Sequence, residues 1–198
     1  MKREDITELQ CIMPIENLPL VMQHGILSHK RAKKVSHHSV ALEDVQNRRR
    51  SKRVPGGRPL HDYANLYFHA RNPMMFKRKA EHRQLSILRI SPKVLDIPGV
   101  VVTDMNAARG IARFMPAMEG LAALDDRMVF AEDWRHPGDY AGYERHQGVK
   151  CAEVLVPDAV PPTLILGVYV SCGQSKGQVE SIMGNVSVKV NAHLFFAD

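Results

Sequence analysis

Cysteine, aromatic residues and long apolar runs are all scarce in this chain. Its three cysteines, Cys11, Cys151 and Cys172, stand far apart. An odd count at that spacing builds neither a disulfide framework nor a CxxC metal pattern, and it points to a reducing, cytoplasmic setting. Aromatics make up 6% of the residues, with one tryptophan, so the core must come from aliphatic side chains and the ten methionines. The stretch from Ile15 to Met22 is broken by Glu16, Asn17 and Pro19, and no segment reads as a signal h-region or a membrane span. Ten histidines are present, yet no His/Cys/Asp set has the spacing of a zinc site, so no metal is expected. Repeats, low-complexity tracts and linkers are lacking too. The 198 residues, 44% hydrophobic, are therefore expected to fold as one domain, 1–198.

Acidic residues are sparse where basic ones gather. The net charge is +6, and Lys30, Arg31, Lys33, Lys34, Arg48, Arg49, Arg50, Lys52 and Arg53 face only Glu43 and Asp44 within the same 24 residues. Such a cluster attracts polyanions by neutralising phosphates and releasing counterions; a solvated basic loop is the plainer alternative. No recognition-helix, zinc-finger or basic-zipper signature appears, which favours a single strand over a duplex as the polyanion.

Asn17 is placed to cap a helix with Pro19 in its first turn, and Gly25 to end it. A short helix is expected around Val40–Arg50, in an otherwise loop-rich stretch over residues 28–60. Strands are expected at Tyr63–Phe68, Gln84–Ile90, Val100–Thr103, Ala152–Pro157, Leu164–Ser171 and Val186–Phe195, the last with Val186, Val188 and Val190 on one face. Residues 105–125 read as one or two helices interrupted by Pro116 and Gly120, and residues 133–149 as a long polar loop. The Thr103-Asp104 pair is either a helix N-cap or an active-site acid, with capping preferred. The class is α+β, a mixed sheet with few helices.

Three places could carry chemistry. After the aromatic strand Leu66-Tyr67-Phe68, Arg71 precedes Asn72-Pro73, where proline forces a rigid corner. A guanidinium held there beside Tyr67 and Phe68 suits flat rings and phosphates; a half-buried strand followed by a solvated Arg is equally open. Glu153 opens the apolar run Val154-Leu155-Val156. A glutamate in that position is paired, at the rim of the sheet, or functional. Ahead of it, Trp134, Tyr140 and Tyr143 offer stacking faces for an unstacked base, while Arg135, His136, Arg145, His146 and Lys150 could reach phosphates or base edges.

His61-Asp62-Tyr63 followed by Tyr67-Phe68-x-x-Arg71-x-Pro73-Met74 resembles the DarT family of bacterial DNA ADP-ribosyltransferase toxins. Three further segments match in order: Asn17-Leu18 with His24-Gly25-Ile26-Leu27-Ser28-His29, Gln46-Asn47-Arg48-Arg49 with Val54-Pro55, and Cys151-Ala152-Glu153-Val154-Leu155-Val156. The resemblance implies an ADP-ribosyltransferase fold, two small mixed sheets around an NAD+-binding cleft. It implies transfer of ADP-ribose from NAD+, as substrate, to a base in single-stranded DNA, with nicotinamide released. Glu153 becomes the catalytic glutamate, stabilising the oxocarbenium-like ribose and taking the base proton. Arg49 becomes the arginine that holds the pyrophosphate, uncertain by one place against Arg48 and Arg50. Asn17, Tyr67, Phe68 and Arg71 would complete the NAD+ pocket, and the loop over 133–150 would present the base.

Two departures stand out. Relatives carry a ribose-binding His in the first strand, where this chain has Gln10-Cys11-Ile12-Met13-Pro14, with Cys11 in its place. Cys151 stands where relatives often carry Gln or Glu, so guanine joins thymine as a possible acceptor. The family also implies a monomer with a DarG-type macrodomain antitoxin as partner, and no membrane. A non-catalytic nucleic-acid-binding module, or a transferase acting on RNA or protein, are the competing functions.

Overall fold

Short aliphatic and β-branched runs supply the strands, and turn residues cut the chain between them. The computed structural model describes residues 1–197. Its strands are β1 (Leu9–Pro14), β2 (Ile26–Leu27), β3 (Tyr63–Tyr67), β4 (Leu85–Ile90), β5 (Val101–Thr103), β6 (Phe114–Pro116), β7 (Glu153–Pro157), β8 (Ala159–Val160), β9 (Ile165–Val170) and β10 (Val188–Val190). The α-helices are α1 (Leu18–His24), α2 (His29–Ala32), α3 (Glu43–Arg50), α4 (Pro73–Arg78), α5 (Ala117–Ala123), α6 (Asp126–Val129), α7 (Tyr140–Val149) and α8 (Gly173–Met183). Among the described residues no helix is long and apolar enough to cross a membrane.

The class is α+β, with a different sheet count from the one expected. Eight strands form one sheet in the order β10-β9-β4-β1-β3-β7-β5-β6, and β2 pairs with β8 in a separate ribbon. All neighbours are antiparallel except β9 and β10. At the middle of the large sheet, β1 and β3 share one registered pair, Gln10 opposite Tyr67. On either side of this seam the pairing is extensive: six registered pairs join β1 to β4 and five join β3 to β7. The single sheet is thus two four-stranded halves meeting at a seam. Its main core packs Leu9, Leu66, Leu88, Val154 and Val168 on one face; the other face carries Ile12, Tyr67, Ile87 and Cys151.

Several local expectations are corrected. The final strand is only Val188–Val190, at the sheet edge, and Val190 is exposed rather than aligned with a buried Val188. Asn191 then accepts from the Leu194 backbone N–H and turns the chain into a 3-10 helix. Residues 133–149 are not all loop: Asp139 accepts from the Gly142 backbone N–H and starts the ten-residue α7, which lacks an apolar stripe. No helix begins at Thr103-Asp104. Asp104 instead pairs with Arg113 at 2.7 Å. Asn17 precedes α1, but its side chain does not cap it. Gly25 ends α1 with φ 78°, as expected of a terminator.

Gly120 does not interrupt a helix; it lies inside α5, where a Cβ would fall 2.5 Å from Val102 Cβ. It is the contact at which α5 lies down on β5. Gly120→Ala should therefore destabilise the fold by ~1–3 kcal/mol, through overpacking. Gly177→Ala, on the exposed side of α8 with no atom near its Cβ, should stabilise it by ~0.5–1 kcal/mol. Urea unfolding of both variants checks the pair; equal effects of one sign would contradict it.

Candidate active site

Glu153 begins β7 opposite Tyr67 on one side and Thr103 on the other. Residues directly opposite share a face, so one row of the sheet carries Gln10, Tyr67, Glu153 and Thr103. Glu153 is 0% exposed. A carboxylate so buried is tolerable only if charge and hydrogen bonds replace its water. Arg49 Nη1 donates to Oε1 at 3.0 Å and to Oε2 at 2.9 Å. The Ala107 backbone N–H donates to Oε1 at 2.9 Å. The Glu153 backbone N–H donates to Thr103 Oγ1 at 3.2 Å, and that hydroxyl donates to the Met105 carbonyl at 2.8 Å.

The helix that delivers Arg49 follows from its ends. Glu43 and Asp44 lie in the first turn of α3 and Arg48, Arg49 and Arg50 in the last, which complements the helix dipole at both ends. With about 100° between successive residues, these three arginines cannot share a direction. Arg49 is buried against Glu153, while Arg48 and Arg50 are exposed. Of the three, Arg49 is the one bonded to the glutamate.

A cleft of about 270 Å³ lies in front of this pair. Its walls come from both halves of the sheet, Ile12 and Met13 on one side and Asn65 and Tyr67 on the other. Arg48, Arg49, Lys77 and Arg109 bring positive charge to it. Residues 37–42 form a further wall, held by two clamps. Asn17 Nδ2 donates to the His38 carbonyl at 2.6 Å while its Oδ1 accepts from the His38 N–H at 3.0 Å. Arg78 Nε donates to the Val40 carbonyl at 3.2 Å. Burial, and then the charge of Glu153, push the Tyr67 phenol well above its ordinary pKa, so it stays a neutral donor.

Of the expected site residues, Arg48, Arg49, Asn17, Tyr67 and Cys151 line this cleft, with Glu153 directly behind Arg49; Cys11 borders it, but its thiol packs in the main core. Burial pushes both thiols, Cys11 and Cys151, up to about 12. Phe68 does not join them; it is buried in the main core on the opposite face. Arg71 turns to the C-terminal segment instead, pairing with Glu132 at 3.2 Å and lying 4.0 Å from the Phe196 ring centroid. The corner after it is real, because Asn72 Oδ1 accepts from Met74 N and Met75 N and caps α4.

In the stretch expected to face DNA, Trp134 is buried, in T-shaped contact with Phe76 and Phe196, and is not free to stack on a base. Lys150 is 1% exposed and cannot reach a phosphate. Its ammonium donates to the Val129 and Ala131 carbonyls at 2.9 and 2.8 Å and lies 3.0 Å from His69 Nδ1. Tyr140 and Arg145 are exposed on α7, and Tyr143 is half-buried, its hydroxyl accepting from Gln147. Arg135 is exposed but paired with Asp133. His136 Nε2 contacts His146 Nδ1 at 2.9 Å; His146 Nε2 faces the Met128 carbonyl, so His136 donates to His146 when both are neutral.

Thr103, Ala107 and Arg109 are site residues that sequence reasoning missed. Arg109 lines the cleft, reaches Glu144 at 3.2 Å on α7, and accepts the Lys52 ammonium at its carbonyl. Gly148 lets it lie close: a Cβ there would come 2.8 Å from Arg109 Nε. The string Asn106-Ala107-Ala108-Arg109 reads as helix, which hid a loop whose backbone N–H serves the glutamate.

The fold that carries this cleft and its buried glutamate has counterparts among solved structures. The Thermus sp. 2.9 DarT in complex with ADP-ribosylated single-stranded DNA superposes with a TM-score of 0.85 at 25% identity, over 98% of this chain and 99% of that one. In sequence, a DNA ADP-ribosyl transferase of Thermus sp. (strain 2.9) is 31% identical over 80% of this chain and 78% of its own length. A transferase–glycohydrolase fusion protein of Thermosipho africanus (strain H17ap60334) is 27% identical over 92% of this chain, which spans only 47% of that fusion. The family described as "ssDNA thymidine ADP-ribosyltransferase, DarT" matches residues 11–196, and the chain belongs to it.

Burial lowers the Lys150 pKa from 10.5 to about 8. The unfolded chain then holds more protons than the folded one between those values, so this group makes stability rise with pH across that window. Urea unfolding of wild type and Lys150→Met at pH of about 8 and about 10 should show the wild type gaining on the variant at the higher pH. A difference that does not move with pH would mean the buried group keeps its ordinary pKa.

Proposed function

We propose that this chain transfers ADP-ribose from NAD+ to a base in single-stranded DNA, with Glu153 and Arg49 as its catalytic pair. The observation that carries the assignment is a carboxylate buried to 0% exposure, bonded to one arginine at the wall of a cationic cleft. A pure binding module has no use for such a costly charge, whereas glycosidic cleavage does. As the bond between nicotinamide and ribose breaks, its electron pair leaves with neutral nicotinamide and positive charge grows on the ribose. Glu153 is fixed where a negative charge can stabilise that cation. A base nitrogen then bonds to the ribose C1′, and its proton passes to the carboxylate. Arg48, Arg49 and Arg109 supply the guanidinium donors that suit a pyrophosphate.

In the resting structure Arg49 is spent on Glu153, so pyrophosphate and carboxylate compete for one guanidinium. NAD+ binding would draw Arg49 toward phosphate and free the carboxylate for the ribose. Thymine is the acceptor named in the family description, and guanine draws no support from the relatives. Tyr140 and Arg145 on α7 are the exposed groups best placed to handle the acceptor strand. The chain works in the cytoplasm as a monomer opposed by a glycohydrolase antitoxin, the activity that the Thermosipho fusion joins to a transferase in its name.

The test uses NAD+ with four single-stranded oligonucleotides, each lacking one base, read by intact mass. One ADP-ribose should appear on every strand except that lacking thymine. Glu153→Gln should lower transfer by ~10²–10³-fold or more, since it keeps the shape but removes the charge. Transfer at the wild-type rate by that variant would remove Glu153 from the mechanism.

A further inference from the structure

On the side of α3 where Arg50 projects lies a second concavity, of about 290 Å³, lined by His29, Lys30, Lys33, Arg50, His61 and Asp62. His29 lines both it and the main cleft, so the two adjoin. Its charge is one-sided. Asp62 is engaged by Lys30 at 3.1 Å. Among the described residues, Lys33 and Arg50 are exposed and pair with no carboxylate. Nearby Arg31, by contrast, pairs with Asp158, as does Arg58. The His29 and His61 rings lie with centroids 4.1 Å apart, and His61 Nε2 is buried without a hydrogen-bond partner among the described residues. Burial, and then His61, Lys33 and Arg49, hold His29 down to about 4, as an uncompensated positive field would.

We propose that this pocket holds a backbone phosphate of the DNA strand whose base is delivered to Glu153, with Lys33 and Arg50 as its cationic ligands. The proposal rests on the DNA reading above and adds a contact surface outside the 133–150 segment. Placement on α3 decides between the two phosphate sources. Arg48 and Arg49 serve the main cleft, where the pyrophosphate belongs, whereas Arg50 lines the pocket on another side of the same helical turn. A helix is about 10–12 Å across with its side chains, a distance that a few nucleotides of single strand span. Two free cations beside flat imidazole rings also fit the groove-and-face pattern of single-strand binding. An acidic patch on a partner protein would need the same cations, and the test separates it.

The experiment measures binding of a fluorescent thymine-containing single strand, without NAD+, to wild type and to the Lys33→Ala/Arg50→Ala double variant as salt rises. Losing up to two phosphate contacts should reduce the slope of log affinity against log salt by up to ~1.4, so that the gap between the proteins narrows about sevenfold from about 50 to about 200 mM. NAD+ hydrolysis without DNA and the melting temperature should stay at wild-type values. An unchanged slope, with wild type still binding and modifying DNA, overturns the phosphate site and leaves the pocket to a protein partner. Affinity lost equally at all salt concentrations also overturns it. Wild-type protein that neither binds nor modifies single strands would overturn the DNA reading itself, and the site with it.

Discussion

The buried contact between Arg49 and Glu153 is the constraint around which the rest of the chain is arranged. A carboxylate at 0% exposure loses its hydration, and the loss is tolerated only where a cation and N–H donors meet it. Arg49 comes from α3 and the Ala107 N–H from the loop after β5, while β7 places the glutamate. Three separate segments must therefore dock before the charge is satisfied. Apolar residues of equal volume often do as well or better for stability at such a position. Folding energy alone is a weak account of the pair, and the catalytic role proposed for it supplies another.

The cleft follows from the same arrangement. Because β1 and β3 share one registered pair, the sheet can present two edges to a ligand rather than a flat wall. The segment over residues 37–42 is too polar to bury itself, and it is held by polar clamps from Asn17 and Arg78. Arg109 ties this chamber to α7 through Glu144. A movement of Arg109 toward a bound anion would release a contact on the helix that carries Tyr140 and Arg145. On the proposed reading, the donor pocket and the acceptor surface share Arg109.

Legibility in the sequence followed the kind of signal each element carries. Strands over 63–68, 84–90, 152–157 and 164–171 were readable because their apolar runs are bounded by turn residues. Gly25 was readable because a left-handed terminator leaves a specific residue behind. Helix α7 was not, because its buried groups, His146, Gly148 and Val149, make no apolar stripe; the cue was Asp139 after Pro137-Gly138. Trp134 and Lys150 misled for a shared reason. Residue type says that an indole can stack and an ammonium can pair with phosphate, but only packing says that one is enclosed by Phe76 and Phe196 and the other by two carbonyls. Arg49 and Glu153 could be named from the resemblance, yet their direct contact could not.

Cys11 shows how far one absent side chain matters. Strand alternation turns it away from the face of Tyr67 and Glu153, toward Leu9 in the main core, opposite Leu88 of β4. With its thiol pushed up to about 12 and its one hydrogen bond stretched to 3.8 Å, it is a poor stand-in for an imidazole that binds a ribose hydroxyl. The missing bond is worth ~0.5–1.5 kcal/mol, or about 2- to 13-fold in affinity. Charge-assisted bonds from guanidinium to phosphate are about twice as strong as neutral ones, and Arg48, Arg49 and Arg109 all line the cleft. If the proposed function holds, affinity for a pyrophosphate-bearing ligand rests more on the arginines than on the first strand, and a cysteine there weakens the grip on one ribose without disarming the glutamate.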